Sequence, residues 1–234
     1  MNPVYISAAT SYSDEWDLKT LIPDANMRRR MSRLVKMGVA SGLQCLAEAG
    51  IGSPDAIITA SGYGCLTDSE KFLTTLIANK EQLLNPTPFI QSTFNTIGSQ
   101  IAILTKCKRY NMTYVDGAES FTSALLDAML SVGDGAKTVL VGITDELTPT
   151  LTDILKRMRI SVATTDGAYF FALTSEKTDS AKAVISNVEL IGRQCAKNSY
   201  TFPTAEAQQL FQLIENKTNS TCKFDKLKFD LQCL

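Results

Sequence analysis

The chain has 234 residues, 44% of them hydrophobic, and a formal net charge of -1. That content supports a sizeable core in one large domain or two small ones, and the near-balanced charge speaks against a nucleic-acid binder or an anionic membrane surface as partner. There is no histidine, so Cys-His and Ser-His-Asp mechanisms are excluded within this chain and the commonest metal ligand is missing.

The opening MNPVYISAAT lacks a basic stretch followed by an apolar one, so no signal peptide is expected. No apolar run is long enough to cross a bilayer, and a soluble, cytoplasmic protein is expected. The cysteines at Cys45, Cys65, Cys107, Cys195, Cys222 and Cys233 form no CxxC pair and read as free thiols; no metal site and no cofactor are expected.

Along the chain, apolar runs of strand length alternate with helical patterns. Residues 3–9 read as a strand. Residues 28–49 read as a helix with a wide apolar stripe, ended by Gly50. A strand at 55–60 closes on SGYG, and a helix at 67–84 starts with Asp68 and Glu70, which suit its positive end. The NPTPF stretch at 85–89 breaks that helix, because proline cannot continue one. A helix at 94–107, a strand at 111–116, a helix at 119–132 and a strand at 137–144 follow, then strands at 168–174 and 183–191 and a helix at 202–215. Residues 216–234 are polar and Lys-rich and read as a C-terminal extension with no assigned element. The alternation predicts an α/β fold with a mainly parallel sheet covered by helices on both faces, and residues 1–234 read as one domain.

Several segments carry a family resemblance: RRRMSRLVKMGVASGLQCLAEAGI, IITASGYG, PTPFIQSTFNTIGSQIA, VDGAESFTSALLDA, VLVGITDEL and DGAYFFALTSE, in that order. From about Val4 to about Ile191 the chain resembles the N-terminal half of a β-ketoacyl synthase, a condensing enzyme of the thiolase fold. The family places a nucleophilic cysteine at the strand-to-helix elbow, in a stretch reading roughly Asp-Thr-Ala-Cys-Ser. Here VDGAES puts Glu119 at that position. The family's second half, with its histidines and part of the oxyanion hole, has no counterpart in these residues, and the loop before the strand at 168–174 is shortened.

The elbow's chemistry accommodates the substitution. A helix N-terminus that lowers a cysteine's pKa also favours a carboxylate, so Glu119 reads first as a helix-starting acid that accepts backbone N–H bonds from the first turn. A lining role at a partner interface and a catalytic role are the alternatives. Ser120 has no base to activate it, and Cys65, just after GYG, has no activating neighbour. The glycines of GYG read as a tight turn. Arg28, Arg29, Arg30 and Arg33 read as a solvated face, or as a docking face for an acidic acyl carrier protein. Phe89, Phe94 and Ile97 read as core; in the related enzymes this segment shapes the acyl pocket across the dimer interface, which makes a lining role the alternative.

The resemblance implies three readings. The first is a non-catalytic subunit, similar to a chain-length factor, that partners an active β-ketoacyl synthase in polyketide, aryl-polyene or fatty-acid-type biosynthesis. The second is an acyl-thioester transferase or decarboxylase using Glu119. The third is a homodimer that binds an acyl ligand or acyl carrier protein without catalysis. In the family the strand before the elbow pairs across the two-fold axis. Here that strand is NMTYVD, with Thr113 at its centre and no lysine or proline to protect a free edge. Phe121, Leu125 and Met129, four residues apart, read as a stripe that continues the interface.

Overall fold

The computed structural model describes residues 2–160, 166–191, 200–224 and 226–234; Cys195 and residues 161–165 of the shortened loop lie outside them. In chain order the elements are β1 (Val4–Ser11), α1 (Leu18–Leu21), α2 (Ala25–Arg30), α3 (Arg33–Glu48), β2 (Ala56–Ala60), α4 (Leu66–Ala78), α5 (Pro86–Gln91), α6 (Thr96–Thr105) and β3 (Tyr110–Tyr114). A 3-10 turn (Gly117–Glu119) then leads into α7 (Ser120–Gly133), β4 (Thr138–Asp145), α8 (Pro149–Arg157), β5 (Gly167–Thr174), β6 (Ala183–Leu190), α9 (Ala205–Glu215), β7 (Ser220–Phe224) and β8 (Leu227–Cys233).

The strands form a sheet of order β3-β2-β4-β5-β1-β6-β8-β7. The expected α/β class and helical cover are present. Parallel pairing holds where it matters for the site: β2 runs parallel to β3 and to β4, with Ala60 opposite Tyr114 on one side and Ile143 on the other. Beyond β4 the remaining neighbours pair antiparallel. The apolar runs at 139–143 and 168–173 announce burial on both faces, and burial alone does not fix strand direction.

Alternate strand residues feed two cores. On one face Ala8, Ile57, Leu140 and Phe170 pack under α3 and α6; on the other Ile6, Ile58, Val141 and Phe171 pack under α7 and α9. The expected long helix at 28–49 is split. Met31 and Ser32 adopt extended backbone, and the Ser32 hydroxyl caps α3 by accepting from Val35 N at 3.4 Å. The helix at 67–84 ends at Ala78, because Lys80, Glu81 and Leu83 take positive φ. NPTPF, expected to break that helix, starts one instead: Asn85 caps α5 and the prolines occupy its first turn, where no N–H is needed. The loop after β4 contains α8, which begins the same way with Thr148 as cap and Pro149 in the first turn.

The largest departure is the C-terminus. Residues 216–234, read from the sequence as an extension with no assigned element, contain β7 and β8, which pair antiparallel as a hairpin and lengthen the sheet beyond β6. Cys222, Phe224, Leu227, Phe229 and Leu231 alternate inward and join the α7 core. Phe121 of α7 meets Phe171 at 5.7 Å and Phe224 at 6.3 Å between ring centres. The stripe of Phe121, Leu125 and Met129, read above as an interface, is therefore fully buried core.

Candidate functional site

Three chain segments meet where the parallel strands end, the place where open α/β sheets form crevices. They are the loop 61–65 after β2, the turn 116–119 after β3, and Asp145-Glu146 at the end of β4.

Asp145 organises the first of these. Its carboxylate is fully buried and accepts from Ser61 Oγ (2.9 Å), Gly62 N (2.7 Å) and Tyr63 N (3.0 Å). Burial pushes its pKa up to about 7, against the pull of the donors at Gly62 and Ser61, with a further push from Glu146. Ser61 Oγ in turn accepts from Gly64 N at 2.7 Å, so one carboxylate fixes the whole SGYG turn. Gly64 sits at φ +70, and a β-carbon there would lie 2.3 Å from the Phe94 ring. Glu146 accepts from Thr67 N at 3.1 Å and so caps α4 from outside that helix.

Glu119 ends the 3-10 turn with 8% exposure. It makes no side-chain cap to α7, contrary to the expectation from its position. Its Oε2 instead pairs with Nζ of Lys226 just ahead of β8, and the same Nζ lies 3.3 Å from Asp116 Oδ2. Lys226 has its pKa raised by the bond to Glu119, then by Asp116, so it is a cation at neutral pH. Ser120 is fully buried; its Oγ accepts from Asp116 N (2.7 Å) and lies 3.0 Å from Ser61 O and 2.8 Å from Gly117 O. It acts as a joint between the two loops. The Cys65 thiol is buried beside Thr93 O, and burial, with Asp68, Glu146 and Asp145 nearby, pushes its pKa up to about 12. It is not an activated nucleophile.

The remaining sequence candidates divide. Ile97 is core. Phe89 and Phe94 are not: they are 57% and 53% exposed, Phe89 resting against Phe72 with ring centres 5.2 Å apart. Phe94 forms one wall of an open groove of about 970 Å3 along β3, together with Ile103, Asn111, Met112, Thr113 and Val115. On its other side Phe94 closes a cavity of about 10 Å3 lined by Leu34, Cys65 and Ile97, room for about one water and far too little for an acyl chain. Thr113 faces Thr59, hydroxyl to hydroxyl at 2.8 Å. Among the described residues β3 is the end strand of the sheet, with the edge away from β2 unpaired. Thus Phe94 and Thr113 share one groove, Glu119 lies at the elbow, and Phe121 lies beneath it in the core. Arg29 and Arg30 are exposed, Arg28 donates to Ile22 O, and Arg33 pairs with Asp166.

The family model described as beta-ketoacyl synthase, N-terminal domain, matches residues 9–229. The chain belongs to this family. Among solved structures, this β-ketoacyl synthase N-terminal domain is similar to three assemblies. One is the ketosynthase ApeO in complex with its chain length factor ApeC from Xenorhabdus doucetiae, at 17% identity over 99% of this chain and 100% of that one, with a TM-score of 0.71. Another is the ishigamide ketosynthase/chain length factor, at 14% identity over 84% and 69%, TM-score 0.67. A third is the AntDE:AntF assembly, a type II acyl-carrier protein in complex with its ketosynthase, at 10% identity over the full length of both chains and TM-score 0.80. No curated protein matches the chain by sequence. The fold is that of the ketosynthases, and the elbow between β3 and α7 carries Glu119.

Sequence reasoning missed Asp145, Glu146 and Lys226. A strand-ending DE pair at the carboxyl edge of a parallel strand was a usable signal for the first two. Lys226 reaches the elbow from 107 positions along the chain from Glu119, a distance no local pattern reports.

Proposed function

We propose that this chain is a non-catalytic ketosynthase-type subunit, of the chain-length-factor kind, that partners an active β-ketoacyl synthase in polyketide, aryl-polyene or fatty-acid-type biosynthesis. The observation that carries this reading is a buried Glu119 paired with Lys226 at the elbow, which the resemblance equates with the family's nucleophile position. A carboxylate held by an ammonium is a poor base and a weak nucleophile toward a thioester, and the chain supplies no histidine for proton transfer. Two of the similar structures are ketosynthase/chain-length-factor pairs, which supports the choice of partner.

The open β3 edge and the groove beside it supply the surface. An unpaired strand invites a second one, and Phe94, Ile103, Met112 and Val115 place apolar area next to it. In this reading the partner's strand completes the sheet and Phe94 and Thr113 line the shared acyl cavity. The exposed Arg29 and Arg30 offer an acidic acyl carrier protein a docking face, and the 234 residues act as one cytoplasmic unit. The experiment is co-expression with a synthase that retains its cysteine and histidines. Co-purification as a stoichiometric pair, with condensation only by the pair, supports the reading; a stable homodimer that ignores the synthase, or acyl-thioester turnover by the chain alone, overturns it.

A further inference from the structure

The C-terminal part of the chain closes on the elbow from two sides. On one side Pro203 packs on Gly62, where an added β-carbon would lie 2.1 Å from Pro203 Cγ and 3.0 Å from Gly117 O. Beside it the Tyr200 hydroxyl meets that of Tyr63, and the rings of Tyr63 and Phe202 lie 6.0 Å apart. On the other side Lys226 reaches back from the turn just ahead of β8. Its backbone is fixed, because Ile191 N donates to Lys226 O at 3.0 Å, and its ammonium is delivered to Glu119 and Asp116. A carboxylate as buried as that of Glu119 is costly without a countercharge, and Lys226 supplies one.

We infer that the Glu119–Lys226 pair is a clasp that locks the β7-β8 hairpin across the elbow. Glu119 adds an electrostatic anchor to a hairpin that also pairs with β6 and packs into the α7 core. The glutamate at the elbow and the lysine ahead of β8 are thus two parts of one device. The inference concerns the isolated chain and stands or falls independently of any synthase partner.

The test is amide hydrogen exchange on the full chain, read by mass spectrometry for β7 and β8 against β2 and β4 as internal reference. Four proteins are compared: wild type, Glu119→Gln, Lys226→Met and the double variant. The clasp predicts that each single change speeds exchange of the hairpin by about tenfold, leaves β2 and β4 unchanged, and that the double variant exchanges no faster than the faster single one. Unchanged hairpin exchange in the single variants overturns the inference, as does a double variant whose acceleration equals the product of the two. If Glu119→Gln does not fold, Lys226→Arg takes its place: it keeps the charge and retains wild-type protection while Lys226→Met loses it, and equal exchange in those two overturns the clasp.

Discussion

Replacing Asp145 by asparagine holds its volume and removes its charge, and the outcome depends on pH in a way the site fixes in advance. Oδ1 serves Ser61 Oγ and Tyr63 N, and Oδ2 serves Gly62 N. An asparagine that keeps its oxygen on the first two donors turns its amide nitrogen toward Gly62 N–H, donor against donor. A carboxylic acid keeps an acceptor oxygen there, so the asparagine costs about 1–3 kcal/mol relative to it. The charge works in the other direction. Burial raises the pKa of Asp145 from 3.8 to about 7, so the folded protein keeps a proton that the unfolded chain releases above about 4. Stability from this group is full below that value and lost as pH rises to about 7, at about 1.4 kcal/mol per pH unit and about 4 kcal/mol in all. Asparagine has no proton to lose. Asp145→Asn is therefore less stable than wild type at pH 4 by about 1–3 kcal/mol and more stable by a similar amount at pH 8. Urea unfolding of both proteins at pH 4, 6 and 8 measures this directly. A variant that stays less stable by the same margin at pH 8 refutes the reasoning, because the three donors would then outweigh burial.

Phe121→Ala empties a fully buried site between Phe171 and Phe224 and costs about 3–5 kcal/mol in chemical denaturation; a loss under about 1 kcal/mol would place α7 outside the core. Cys65, with its thiol buried and its pKa near 12, resists alkylation at pH 8 in the folded protein and reacts once the chain is denatured, as peptide mapping reports; labelling of native Cys65 at the rate of a free thiol contradicts the site description. Glu119→Cys, assayed without a partner, gives no condensation of acyl thioesters, since general acid–base groups worth about 10²- to 10⁴-fold are still missing; measured turnover by that variant contradicts the non-catalytic reading.

What the sequence announces and what it conceals follow a physical line. The burial of α7 is legible because SALLDAML is apolar on more than one side, and Ala124, Leu125, Ala128 and Met129 are fully buried while Leu130 at its end stays exposed. β2 and β4 are legible as strands through their apolar runs, whereas β3, YNMTY, is neither apolar nor buried. The hairpin is concealed by its charge: Lys223, Lys226 and Lys228 give 216–234 a polar average, although Cys222 and Phe224, then Leu227, Phe229 and Leu231, alternate with the period of a half-buried strand. The split at Ser32 is hidden because the apolar periodicity continues through it, and only a caps-first reading finds a serine that starts a helix. The exposure of Phe89 and Phe94 is invisible to composition, since large aromatics are usually buried. At the elbow the position of Glu119 could be read, but its partner could not. A helix-start acid is expected to bond the first turn, and here a lysine from the far end of the chain takes that place.

The β3 edge carries the central claim, that this chain completes itself by pairing with a synthase. Thr113 is a poor probe of it, because its hydroxyl is tied to Thr59 within the fold. Met112 is better, being 40% exposed on the groove wall beside Phe94. Sedimentation of wild type and Met112→Lys, each mixed with an active synthase, is the direct measurement, with thermal unfolding of the variant confirming that it folds. The account predicts a one-to-one complex for wild type and its loss, or weakening by at least about tenfold, for the folded variant, since a lysine on an edge strand blocks strand addition. A variant that folds and still binds the synthase as tightly as wild type contradicts it.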